Sequence, residues 1–247
     1  MSISIQAPPF VAAGIAAINL LFITFVLPES HPKAKRNNIR KIRIIDIDAF
    51  KEVFSRESSR KFLSIIFFYT LAFNMFETMF SSHSMIAVGL SPQARGLILA
   101  YMGVLIAIMQ GGLIGRLTKK YKEMSLLNLA NFILVFSIFG WAFVTNTVQL
   151  MIIIVPISFA AAIQSVIQKS LLSKSAVGDN QGMILGVSTS LECLTRIIAP
   201  LLGGFLLSRI GLWAPGVFSA LVLIIPLIII SLERKAENKR QLVEEMP

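Results

Sequence analysis

The chain has 247 residues, of which 55% are hydrophobic and only 15% charged. Soluble domains carry about 25% charged residues, so the deficit points to lipid as the solvent for most of the chain. The net charge of +10 does not mark a nucleic-acid binder, because the basic residues fall in short clusters between apolar runs. A single cysteine, Cys193, excludes an intrachain disulfide framework and a multi-cysteine metal site. The two histidines, His31 and His83, lie far apart, and neither a metal nor a cofactor is expected.

A transmembrane helix needs about 20 mostly apolar residues to cross roughly 30 Å of hydrocarbon. Seven stretches meet that requirement, at 7–27, 62–81, 94–115, 124–144, 147–168, 183–207 and 211–232, so an all-α membrane protein of about seven transmembrane helices is expected. The stretch at 7–27 reads as a retained helix and not as a signal peptide, because no Lys or Arg precedes Lys33. Residues 28–61 then hold ten Lys and Arg against five acids, a loop that the positive-inside rule places in the cytoplasm, leaving the N-terminus outside. Within this loop Ile47, Phe50, Val53 and Phe54 recur at helical spacing, with Asp46 or Asp48 available as an N-cap. Such a helix either lies on the membrane surface or packs against helix ends inside the protein.

Residues 62–232 are expected to form a six-helix bundle. Threading its spans alternately puts Arg116, Lys119, Lys120, Lys122, Lys169, Lys174 and the basic residues of the 233–247 tail in the cytoplasm. Arg95 and Arg209 fall outside, and Arg196 falls within a span. One helix too many or too few would invert every later loop, so the bias supports both the count and the orientation. The expected address is a plasma or inner membrane, with the lipid bilayer as partner and no nucleic acid. Short connectors near Asn146 and Gly211 require antiparallel hairpins.

In 94–115, Gly96, Ala100, Gly103, Ala107, Gly111 and Gly115 recur every three or four residues and form one small-residue face; Gly182, Gly186 and Ser190 repeat the pattern in 183–207. Such faces let helix backbones approach closely in lipid, and a close contact that slides serves as a gate. Pro156 and Pro200 lie inside spans and are expected to kink them.

Ionisable groups inside a membrane are expensive and usually face a bundle interior or a water-filled cavity. Glu192 and Arg196 are spaced i,i+4 with the acid first, the favourable order for a same-helix ion pair. They are either a packing pair or handlers of substrate or protons. Glu77 sits on a stripe with Thr70, Asn74 and Ser81, so one helix face is polar from near mid-membrane to the outer surface. A carboxyl group withdrawn from bulk water there is suited to proton exchange. Gln110, Asn131, Gln164 and Gln168 are weaker marks that interhelical hydrogen bonding also explains. The candidate substrate or proton pathway is therefore Asn74, Glu77, Gln110, Gln164, Glu192 and Arg196. No HExxH motif, GxSxG elbow, P-loop or dinucleotide fingerprint occurs, and no enzyme is expected.

Three local matches resemble the major facilitator superfamily, in particular its tetracycline-efflux-like drug:proton antiporters. Leu27-Pro28-Glu29-Ser30, between an apolar helix and a basic loop, looks like the exit from that family's sixth helix. Gly111-Gly112-Leu113-Ile114-Gly115-Arg116-Leu117-Thr118-Lys119-Lys120 is similar to its glycine-initiated cytoplasmic motif, matching at Gly111, Arg116, Lys119 and Lys120. Gly115 stands where the motif carries its acid, and Thr118 where it carries its second glycine. Gln181-Gly182, Gly186, Ser190-Leu191, Arg196, Pro200 and Gly203-Gly204 look like the family's eleventh helix, which has no counterpart of Glu192.

The resemblance runs from the family's sixth helix to its twelfth and implies the C-terminal half of the fold. The solute site then lies between two halves, with one wall from 62–81, 94–115, 147–168 and 183–207, and with Gly111, Arg116, Lys119 and Lys120 as a gating motif. The expected function is alternating-access transport of a small organic solute or drug, coupled to protons. The chain is then a truncated product, or is completed by an N-terminal half or a second copy of itself. A seven-helix receptor and a non-transporting remnant stay open as alternatives. Against the receptor stand the missing outer cysteine pair and the long first cytoplasmic loop.

Overall fold

The structure is a computed structural model that describes residues 7–27, 47–175 and 181–244. Pro28 to Ser30, most of the basic loop and the cap candidate Asp46 lie outside the described residues, while Asp48, the other candidate, falls inside the helix that starts at Ile47 and does not cap it. The described elements are helices: α1 (Ala7–Val26), α2 (Ile47–Ser55), α3 (Glu57–Val88), α4 (Pro92–Ile108), α5 (Ile114–Lys120), α6 (Glu123–Trp141), α7 (Thr147–Ser175), α8 (Gln181–Arg209) and α9 (Ala214–Glu244). A π-helical turn, Met109–Leu113, joins α4 to α5 without a break. Seven of the resulting helical runs are long and apolar enough to cross a membrane, at the seven places read from hydropathy. The chain is a multi-pass, all-α membrane protein.

The chain divides into two units, residues 1–46 and 47–247. In the first, α1 exposes apolar side chains all round, among them Phe10, Ile15, Ile18, Leu21 and Phe25. A helix apolar on every side is stable in lipid and not at a water interface.

In the second unit the helix ends outrun the apolar windows, because local chemistry sets them. α3 starts at Glu57 instead of residue 62, and an ion pair from Lys61 Nζ to Glu57 Oε1 (2.7 Å) spans its polar first turn. It stops at Gly89, whose φ of 72° is the left-handed conformation of a C-cap, donating its N–H to the Met85 carbonyl. Ser91 then caps α4 by accepting from Ala94 N at 3.3 Å, with Pro92 in the first turn. The α6–α7 hairpin is fixed from both sides: Asn146 Oδ1 accepts from Gln149 N (2.9 Å), and Gln149 Oε1 accepts from Thr145 N (3.1 Å). Pro156 and Pro200 lie within α7 and α8, and α9 carries a further Pro226.

α3 packs against α8 and α9, α6 against α7 and α9, and α4 against α7. The core is aromatic at one end, where Phe76 meets Trp141 edge-on at 4.9 Å, and branched aliphatic further in, through Leu134, Ile138, Leu150, Ile154 and Ile157. A buried amide ladder crosses it: Gln168 Nε2 donates to Gln164 Oε1 (2.6 Å), Gln164 Nε2 to Asn131 Oδ1 (3.2 Å), and Asn131 Nδ2 to the Leu223 carbonyl (2.9 Å). In lipid such bonds tie three helices together and satisfy groups that have no water to turn to.

Ion pairs gather one end of the bundle. Lys61 reaches Glu233 at 2.6 Å, joining the start of α3 to α9, and Lys174 reaches Glu123 at 2.7 Å, joining the end of α7 to the start of α6. This basic end also carries Arg116, Lys119 and Lys120 on α5. Of the two readings open for α2, the structure selects packing within the protein: Val53 is buried, and with Phe50 and Phe54 it meets Leu63 and Ile66 of α3, Leu172 of α7, and Ile184 and Val187 of α8.

Candidate functional site

The polar stripe of α3 lies where the sequence spacing places it. Asn74 and Thr70 are half-buried, and Glu77 and Ser81 are exposed. α8 meets it with a residue the sequence reading passed over, Thr195, which is fully buried. Asn74 Nδ2 donates to Thr195 Oγ1 at 2.9 Å, and Thr195 Oγ1 lies 3.2 Å from Thr70 Oγ1 and 2.7 Å from the Glu192 carbonyl. A hydroxyl has one proton, so Thr195 donates to one of the last two while accepting from Asn74. Three polar side chains thus join α3 to α8 between Glu77, one turn along α3, and Glu192, one turn back along α8.

Both carboxylates are within electrostatic reach of the buried Tyr69. Their own side chains, and that of Arg196, have no ion pair or hydrogen bond among the described residues. The expected Glu192–Arg196 pair is therefore not made. Arg196 is exposed and Glu192 half-buried, and the Thr195 side chain between them is turned inward onto α3. At the stripe's far end Arg95, expected on the outer side, folds back from α4 and donates through Nη1 to the Ser81 carbonyl (3.0 Å) and Oγ (2.7 Å).

The other expected site residues lie elsewhere. Gln110 sits in the π-helical turn, exposed, and donates to Ser165 Oγ on α7 at 2.9 Å. Gln164 is buried in the amide ladder towards α6 and is not on the face that carries Asn74. Gly111, Arg116, Lys119 and Lys120 are exposed at the basic end.

Both small-residue faces are open. Gly96, Ala100, Gly103, Ala107, Gly111 and Gly115 on α4–α5, and Gly182, Gly186 and Ser190 on α8, are all exposed. A Cβ added to any of those glycines would meet nothing within 4 Å. By contrast Gly203 lets α8 close on α3, where a Cβ would fall 2.8 Å from Met79 Cγ. Small residues are thus in use between α8 and α3, while the two longer stripes have no neighbour among the described residues.

The sequence model of the Major Facilitator Superfamily matches residues 1–200. The chain belongs to that superfamily. Solute carrier family 22 member 18 of Rattus norvegicus is 28% identical over 171 residues, which is 67% of this chain and 41% of that protein. Multidrug resistance protein 2 of Bacillus subtilis (strain 168) is 23% identical over 236 residues, 95% of this chain and 58% of that protein. Among solved structures, the human organic anion transporter MFSD10 (TETRAN) superposes with a TM-score of 0.78 at 20% identity, over 92% of this chain and 57% of that one. The superfamily fold is shared, and the chain spans roughly two fifths to three fifths of the length of these relatives.

Proposed function

We propose that this chain forms one wall of the solute pathway of a membrane transporter that works by alternating access and couples to protons. The observation that carries the reading is the Asn74–Thr195 bond, set between the exposed Glu77 and the half-buried Glu192, whose carboxylates have no ion pair or hydrogen bond among the described residues. Charged groups without partners are costly in hydrocarbon, so a face that keeps two acids and Arg196 is built for a water-lined path. A carboxylate there, free of a fixed counter-ion, is able to take a proton when a solute leaves and lose it when one enters.

One wall encloses nothing. The open small-residue stripes of α4 (Gly96, Ala100, Gly103 and Ala107) and α8 admit a second helical bundle at backbone distance; we assign them to a complementary half or a second copy of this chain. The relatives' greater length favours the complementary half. The drug and multidrug character rests on the Bacillus relative's name, and the basic end is assigned to the cytoplasm.

The reading is tested in liposomes holding the chain alone and with a complementary half, with an imposed pH gradient and two probes, the organic cation ethidium and the organic anion fluorescein. Gradient-dependent movement of one probe, present with the partner and lost in Glu77→Gln or Glu192→Gln, is expected. Movement that is unaltered by both substitutions contradicts proton coupling at this face.

A further inference from the structure

At the basic end, Arg116, Lys119 and Lys120 lie at i, i+3 and i+4 on α5, so their side chains share one helix face. All three are exposed, and none has an acidic partner among the described residues. The described acids at this end are already engaged: Glu52 with Arg56, Glu57 and Glu233 with Lys61, and Glu123 with Lys174 and Ser170. Three like charges so spaced repel one another. The helix C-terminus offsets part of this for Lys119 and Lys120, and none of the described acids supplies the remaining counter-charge.

The surroundings say what kind. One turn further into the membrane, the i−4 neighbours of Arg116 and Lys119 are Gly112 and Gly115, and a Cβ on either would meet nothing within 4 Å. Next in the Arg116 row stands Ile108, 61% exposed and apolar. The basic face therefore sits below a side-chain-free notch that opens onto an apolar surface. Tyr121, with the Lys120 ammonium 5.5 Å from its ring centre, marks the depth at which aromatic side chains sit among lipid headgroups. A freely soluble anion would use the charges but leave the notch and the apolar strip idle.

We propose that Arg116, Lys119, Lys120 and the Gly112–Gly115 notch bind the phosphate headgroup of an anionic phospholipid, whose acyl chain lies along Gly112 and Ile108. The site is separate from the Asn74–Thr195 face and does not depend on what that face transports.

The purified full chain in mixed micelles of dioleoyl phosphatidylcholine and dioleoyl phosphatidylglycerol tests this, with bound lipid counted by native mass spectrometry. Phosphatidylglycerol is expected to be retained over phosphatidylcholine by at least about fivefold, the attraction due to a single basic side chain near an anionic surface. The preference should vanish in R116Q/K119Q/K120Q and weaken in Gly112→Leu, which fills the notch without touching a charge. Circular dichroism of each variant establishes that it is folded before lipid is counted. Equal retention of both lipids by the wild-type chain, or an unchanged preference in the triple variant, overturns the proposal. Full displacement by inorganic phosphate overturns it too, since that result identifies a soluble anion site.

Discussion

Asn74 on α3 and Thr195 on α8 share a hydrogen bond of 2.9 Å, across 121 positions of sequence and inside the membrane-spanning part of the fold. Interhelical bonds of this kind contribute about 0.6 kcal/mol on average in membranes. Thr195→Val keeps the shape and removes the hydroxyl, so it should cost roughly 0.5–1.5 kcal/mol, and Thr195→Ser should restore most of it. Reversible unfolding in mixed micelles measures both. If Val and Ser behave alike, the bond contributes nothing and Thr195 serves only as packing.

The glycines divide into two kinds with opposite expected outcomes. Gly216→Ala would drive a Cβ to 2.7 Å from Ala142 Cβ and 3.1 Å from Ala142 Cα, with the Trp141 ring also at 3.1 Å. Backbone cannot yield, so overpacking of about 1–3 kcal/mol is expected. Gly203→Ala meets the flexible Met79 and Met75 side chains and should cost less. Gly103→Ala meets nothing and should stabilise the isolated chain by up to about 1 kcal/mol through helix propensity. Thermal unfolding of the three variants gives the order. A destabilising Gly103→Ala in the isolated chain would mean that its stripe is already packed.

Much of this fold is legible in the sequence, and the reason is the solvent. Lipid demands about 20 apolar residues per crossing and leaves basic residues at the ends, so the seven helices, the Asn146 hairpin and the α3 polar stripe follow from composition and spacing. Rotation of one helix against another does not. Thr195 resembles any other small residue of α8 until the side that meets α3 is known. Gln164 reads equally well as a pathway amide or as the partner of Asn131, and only the orientation of α7 decides. The Glu192–Arg196 spacing permits an ion pair without requiring one. The π turn at Met109–Leu113 has no sequence mark beyond Gly111-Gly112, which also suits an ordinary helix contact.

The amide ladder should be separable from the proposed pathway. Gln164→Leu removes the acceptor of Gln168 Nε2 and the donor to Asn131 Oδ1, leaving buried polar groups unsatisfied at a cost of about 1–3 kcal/mol. Proton-coupled flux per folded molecule should be unchanged. A selective loss of coupling with normal stability would move Gln164 back onto the pathway.

Orientation is open to a direct check in a Cys193→Ser background, using exposed positions at opposite ends of the bundle. Ser91→Cys should react with a membrane-impermeant maleimide added to intact cells, and Lys119→Cys only after the cells are opened. The reverse pattern would place the basic end outside.

The central claim is that the α3–α8 face lines water while other exposed faces line lipid. Asn74 and Glu77 lie on the first, whereas Phe136 of α6 and Ile228 of α9 are exposed on other faces, at 60% and 53%. With each replaced in turn by cysteine in the Cys193→Ser background, the measurement is the rate of reaction with a charged methanethiosulfonate reagent in native membranes. Only the thiolate reacts and it forms in water, so positions 74 and 77 should react at least about tenfold faster than positions 136 and 228. Equal rates at all four would contradict the account.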